Sequence, residues 1–206
     1  MRYTEIELKY KLNEKQKANV LEDIVESFNG TIIKEKHMKA VYMDTMDNDL
    51  AKKKIAFRIR EEDKSVFATI KTQGISDNGF SQRKEWNADI TNLPKKASVT
   101  DMLANTEADE DIKEYLGSKV LEEKITTQFL RKITLIKYDQ SLFEIALDEG
   151  MIITKKGQEA ICELEVELLE GSEDCLKKFG LVLADKYHLE PEPMSKYARG
   201  IRLLNK

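Results

Sequence analysis

Cysteine, proline and histidine are scarce in this chain: two, three and two residues of 206. Cys162 and Cys175 make neither a disulfide framework nor a metal-ligand spacing, which fits a reducing compartment. His37 and His188 stand far apart, so an HExxH zinc site is excluded and a Ser–His–Asp triad finds no support. The nine glycines form neither GxGxxG nor GxxxxGK, and the usual glycine-rich phosphate loops are absent. No stretch approaches the ~18 apolar residues of a membrane helix. The first residues, MRYTEIELKYK, lack the apolar core of a signal peptide, and Asn29-Gly30-Thr31 reads as a turn rather than a used glycosylation sequon. A net charge of −4 argues against a nucleic-acid binder working by bulk charge. The expectation is a cytoplasmic protein with no membrane or nucleic-acid partner. A single domain over residues 1–206 is expected, since a chain of this size buries about 70% of its unfolded surface without staples.

What the chain has in abundance is charge: 35% of residues, against 41% hydrophobic. Helices are expected over 13–29, with Asn13 as cap and Gly30 as stop, and over 106–116, ending at Gly117. Ser172 opens a third helix with Leu176, Phe179 and Leu183 on one face, and a short fourth follows Pro193 toward Leu204. Most of the remainder reads as strands.

Those strands alternate charged and apolar residues. In EIELKYKL, Glu5, Glu7, Lys9 and Lys11 share one face while Ile6, Leu8, Tyr10 and Leu12 share the other. IAFRIREED sets Arg58 and Arg60 opposite Phe57 and Ile59; VFATIKTQ sets Lys71 opposite Ile70. SQRKEWNADI places Arg83 and Glu85 opposite Trp86; LFEIALDEG places Glu144 and Asp148 opposite Ile145 and Leu147. CELEVELLE aligns Glu163, Glu165 and Glu167. Like charges side by side cost free energy unless an opposite charge or a ligand offsets them. Carboxylate pairs without His or Cys suit a hard cation, Mg²⁺ or Mn²⁺. Arginine forks suit phosphate oxygens. An antiparallel barrel with these faces inward would be a charged tunnel, its apolar outer faces covered by helices. A one-sided sheet with a solvated charged face would carry the same alternation.

EIELK resembles the ExExK signature of the CYTH superfamily, the triphosphate tunnel metalloenzymes. The later motifs follow in the same order: Tyr42 and Asp44 in a YxDT-like element, the RxR strand of Arg58 and Arg60, a strand with Lys71, then Arg83 and Glu85, Arg131, Asp148 and an ExExE strand. The resemblance implies an all-β-dominated α+β fold: an eight-stranded, closed antiparallel β-barrel with helices packed outside. It further implies that Glu5, Glu7, Asp148, Glu163 and Glu165 hold Mg²⁺ or Mn²⁺. Lys9, Arg58, Arg60, Lys71, Arg83 and Arg131 would bind a phosphate chain. Lys196 and Arg199, in SKYARG, resemble the family's plug, with Lys196 reaching the substrate.

The expected chemistry is metal-dependent hydrolysis of a small triphosphate, with Lys9, Glu163 and Glu165 as catalytic groups and either glutamate taking the proton from water. The first alternative is an adenylate cyclase, whose base pocket would draw on Tyr42, Phe57, Phe67 and Tyr197. The second is a non-catalytic polyphosphate or nucleotide binder. Members of the family often pair, so a homodimer is left open.

Overall fold

A computed structural model of the chain describes residues 3–94 and 96–206. The elements in order are β1 (Tyr3–Lys11), α1 (Glu14–Phe28), β2 (Lys34–Asp44), α2 (Asp49–Lys52), β3 (Ala56–Glu62), β4 (Ser65–Lys71), β5 (Ile75–Asp77) and β6 (Phe80–Asp89). There follow α3 (Val99–Leu103), α4 (Glu110–Gly117), β7 (Glu122–Tyr138), β8 (Ser141–Thr154), β9 (Gly157–Glu170), α5 (Glu173–Tyr187), β10 (Glu190–Pro191) and α6 (Lys196–Leu204).

Eight strands close on themselves. Their order is β1-β9-β8-β7-β2-β3-β4-β6, and β6 returns to β1 with Glu5 opposite Arg83. All pairs are antiparallel. The short β5 extends β6, and β10 pairs with Tyr10 and Lys11, beyond the Tyr3–Leu8 stretch that β6 covers. Closure removes the unpaired edges of the eight strands.

The alternation seen in the sequence then sorts charge inward and apolar residues outward. Ile6, Leu8 and Tyr10 of β1 turn toward α5, where the Tyr10 hydroxyl donates to the Gly180 carbonyl at 3.0 Å. One outer core joins α1 and α5 to β1, β7, β8 and β9 through Leu21, Ile24, Phe143, Leu164 and Phe179. A second joins α2, α3 and α4 to β3, β4 and β6 through Leu50, Phe57, Ile70, Trp86, Leu103 and Leu116.

Helix boundaries follow local chemistry. Asn13 caps α1, accepting from the Lys15 and Gln16 amides, as its sequence suggests. The stop differs from expectation: Asn29, not Gly30, takes the left-handed conformation, at φ 53°. Gly30 serves a different need, because a Cβ there would sit 2.7 Å from Ile136 and 2.8 Å from Thr134 Oγ1. The helix expected from 106 starts at Glu110. Thr106 instead donates its hydroxyl to the Leu103 carbonyl and closes the short α3.

The last helix is the exception to helices packed outside. Ser195 caps α6 by accepting from the Ala198 amide, and the helix presses on the inward faces of β7, β8 and β9. Gly200 permits the approach, since a Cβ would meet Ile125 at 2.6 Å. Leu203 joins Ile125, Ile152 and Ile161 in a small apolar stopper at that end of the barrel.

Phe179 is fully buried and stacks on Phe143 at 5.0 Å, with Phe28 at 5.2 Å and Tyr138 at 4.8 Å. Truncation to alanine should therefore cost ~3–5 kcal/mol, read from urea denaturation, while leaving the tunnel's ion pairs in place.

Candidate functional site

Inside the barrel lies a cavity of about 270 Å³. Lys9, Arg58, Arg60, Lys71, Arg83, Arg131 and Lys196 all line it, as do Glu5, Glu7 and Glu165. Asp148 and Glu163 are buried just behind Lys196. The seven basic residues assigned to the phosphate chain thus face one space, whereas Arg199 and Lys11 do not line it. The seven include Arg131, whose strand alternates less cleanly than the others.

The carboxylates fall into two groups. Asp148, Glu163 and Glu165 bring ligand oxygens within 4.8 Å of one another. The Lys196 ammonium stands among them, 2.6 Å from Asp148 Oδ2 and 3.0 Å from Glu165 Oε1, and donates to Glu163 Oε1. Arg131 grips Asp148 with two parallel bonds, Nε to Oδ1 at 2.7 Å and Nη2 to Oδ2 at 2.6 Å, and also reaches Glu165. Glu5 and Glu7 do not join this cluster. Lys71 donates to Glu5 at 2.9 and 3.1 Å and Arg83 at 2.6 Å; Glu7 accepts from Arg83 at 3.2 Å and from Lys9 at 3.3 Å. The expected five-carboxylate metal set is therefore split in two.

Burial and charge pull these groups apart. Burial raises Glu5, but Lys71 and Arg83 outweigh it and hold the carboxyl well below the usual range. Glu165 behaves likewise under Lys196, Lys9 and Arg131. Glu163 goes the other way: burial, aided by its neighbours Glu165 and Asp148, leaves it raised despite Lys196 and Lys9. Lys196 is raised well above its ordinary value, since the three carboxylates overcome its burial.

On the basic side, two buried donors lack acceptors among the described residues: Arg58 Nε and Arg60 Nε. Among the described residues the ion partner of Arg60 is Glu62 at 3.7 Å, and burial with the adjacent Arg58 pushes it down to about 10. Uncompensated buried N–H groups are costly and call for an explanation. An anion with several oxygens would supply one. The trio, for its part, fits a divalent cation: its donors are all carboxylate oxygens, and a cationic group of this chain already stands between them.

The structure revises the aromatic assignments. Phe57 points outward, 1% exposed in the outer core. Tyr42 and Tyr197 do line the cavity but stack on each other at 5.2 Å, with the Arg58 guanidinium 5.9 Å from the Tyr42 ring centre. Phe67 sits beside Arg60 at 5.5 Å. Asp44, part of the YxDT-like element, is a structural cap, accepting from the Thr45, Leu50 and Ala51 amides at 2.7–3.0 Å. Glu85 and Glu159 are participants the motif reading did not assign. Glu85 lies 2.6 Å from Lys71 Nζ. Glu159 lies on the same strand four residues before Glu163, and that even spacing alone marks its inward face.

The CYTH domain model matches residues 3–201. An inorganic triphosphatase from Haemophilus influenzae is 32% identical over 165 residues, covering 80% of this chain. The chain spans 45% of that protein's length. Among solved structures, a Hippeastrum protein described as an adenylyl cyclase with a dominant triphosphatase activity superposes with a TM-score of 0.70. It is 18% identical, over 96% of this chain and 95% of that one. A Bacillus halodurans protein described as an adenylate cyclase gives 0.61 at 19% identity, over 94% and 95% of the two chains. These structural likenesses carry the fold. No helix among the described residues is long and apolar enough to cross a membrane.

Glu5 and Glu165 are ionised more readily folded than unfolded, where a glutamate titrates near pH ~4.3. Their stabilising contribution is complete above that pH and lost as pH falls through their lower folded values. The thermal midpoint should therefore drop on acidification below about pH 4.3. The Glu5→Gln variant should show a flatter drop, which differential scanning fluorimetry across pH would measure.

Proposed function

We propose that this chain, which belongs to the CYTH domain family, hydrolyses a short phosphate chain such as inorganic tripolyphosphate inside its tunnel. The observation that carries this reading is the pair of buried, acceptor-less Arg58 and Arg60 Nε groups set in the same cavity as Lys9, Lys71, Arg83 and Arg131. Such a ring matches a linear polyanion, whose oxygens would satisfy the free donors. The inorganic triphosphatase relative supports the same substrate class.

Asp148, Glu163 and Glu165 are the residues that would hold Mg²⁺ or Mn²⁺, and a divalent ion bound there supplies neutralisation of the phosphate charge. The rest is this chain's own chemistry. Lys9, Arg58, Arg60, Lys71, Arg83 and Arg131 bind the phosphate oxygens and align the chain for in-line attack, where positioning supplies much of the rate. Lys196 keeps a positive charge beside the reacting end. Glu163 and Glu165 are the two candidate proton acceptors: burial beside Glu165 and Asp148 raises the Glu163 carboxyl, whereas at Glu165, which lines the cavity, Lys196, Lys9 and Arg131 outweigh burial and hold it low. Hydrolysis is favoured over cyclisation because Phe57 faces away into the outer core and Tyr42 and Tyr197 stack on each other, which takes one face of each ring from a base.

Purified protein with Mg²⁺ or Mn²⁺ should release phosphate from tripolyphosphate and form no cyclic AMP from ATP. EDTA should abolish release, and added metal should restore it. Cyclic AMP with pyrophosphate would establish the cyclase instead; tight tripolyphosphate binding without either product would leave a binding module. Glu165→Gln should lower kcat by roughly 10²–10³-fold. Lys71→Ala removes a charged donor worth ~1.5–3 kcal/mol and should reduce kcat/KM by about 10- to 100-fold.

A further inference from the structure

At the stoppered end of the barrel, Glu159 of β9 accepts two arginines from α6. Arg199 donates through Nε to Oε1 at 2.8 Å, and Arg202 through Nη2 at 2.9 and 2.7 Å. The same Arg199 guanidinium continues inward: Nη1 donates to Glu163 Oε2 at 2.9 Å and Nη2 to the Ala160 carbonyl. Arg199 is thereby held between two carboxylates on one strand, Glu159 outside and Glu163 inside. One helical turn earlier on α6 stands Lys196, which takes the other Glu163 oxygen.

We infer that Glu159 is a positioning residue for the carboxylate trio, acting through Arg199. Its charge holds the guanidinium at the outer end of the bridge. Arg199 then spends only one N–H on Glu163, leaving Glu163 Oε1 turned toward Asp148 and Glu165. Without that outer anchor, the buried guanidinium has Glu163 as its nearest anion. A fork-to-fork pair would form there and draw both Glu163 oxygens away from the cluster. Glu159 itself lines neither the phosphate ring nor the trio, so its effect falls on cation binding and turnover rather than on substrate binding. Partners that orient metal-holding side chains commonly matter this much.

Only the kinetic arm of the test rests on the hydrolase reading. Mn²⁺ alone is titrated calorimetrically into wild type, Glu159→Gln, Glu159→Asp and Arg202→Met, and kcat and KM for tripolyphosphate follow. In Glu159→Gln, Mn²⁺ affinity and kcat should each fall about 10-fold or more, with KM changed less than about twofold. Glu159→Asp, which keeps the charge, should recover most of both. Arg202→Met removes the second arginine on Glu159 but keeps both partners of Arg199, Glu159 and Glu163, and should leave Mn²⁺ affinity as in wild type. If Glu159→Gln fails to fold, Arg199→Lys breaks the same bridge and should show the same loss. Unchanged Mn²⁺ binding in Glu159→Gln, an equal loss in Arg202→Met, a rise in KM with kcat intact, or a wild type that takes up no Mn²⁺ would each overturn the inference. A wild type that binds Mn²⁺ but leaves tripolyphosphate uncleaved would sink the hydrolase reading alone, because the Mn²⁺ comparison still decides the role of Glu159.

Discussion

The ammonium of Lys196 among Asp148, Glu163 and Glu165 is the contact on which the rest of the interior depends. Asp148 and Glu163 are buried and Glu165 is partly so; three carboxylates in mutual reach repel one another, and removing them from water is expensive unless cations compensate. Lys196 arrives on α6, Arg131 on β7 and Lys9 on β1, so the compensation draws on elements distant in sequence. The lysine comes from the helix that closes one end of the barrel, so the same element carries charge into the tunnel and covers its end. Losing one member of such a group leaves the others buried and unpaired, which costs far more than an exposed pair would.

An interior of this kind obliges the exterior to be apolar. Eight strands that send charge inward turn Leu, Ile and Phe side chains outward, and these need cover. The helices supply it, with α1 and α5 on one flank and α2 to α4 on the other. Most apolar burial therefore lies in these two outer cores and in the smaller stopper under α6, which leaves the tunnel to polar groups. It can carry arrangements that a conventional core would not tolerate, including the acceptor-less Nε groups of Arg58 and Arg60. Buried donors without partners depart from the rule that scaffold interiors follow, and such departures concentrate at functional sites.

Much of this was legible from residue order. Period-two alternation of charge gives the inward set directly, because successive side chains on a strand face opposite ways. Arg58, Arg60, Lys71 and Arg83 were identified that way, and their strands then met around one cavity. Three features were not legible. Tyr42 and Tyr197 are read as available aromatics until their stacking is seen. Asp44 looks like a site residue but caps α2, since nothing in a motif distinguishes a carboxylate bonded to three amides from one open to a ligand. Glu159 belongs to no motif at all, and its partners lie 40 and 43 residues away on α6.

Residue order by itself determined which side chains share a face, which strands carry like charges, and that those charges demand opposite partners or a ligand. These follow from backbone geometry within a strand and need no knowledge of neighbours. Only the tertiary structure decided how the carboxylates divide, with Asp148, Glu163 and Glu165 gathered around Lys196 and Glu5 and Glu7 bound to Lys71, Arg83 and Lys9. That division depends on the register with which eight strands close and on where α6 enters the barrel. Both are set by packing between segments far apart in the chain, which local alternation does not encode.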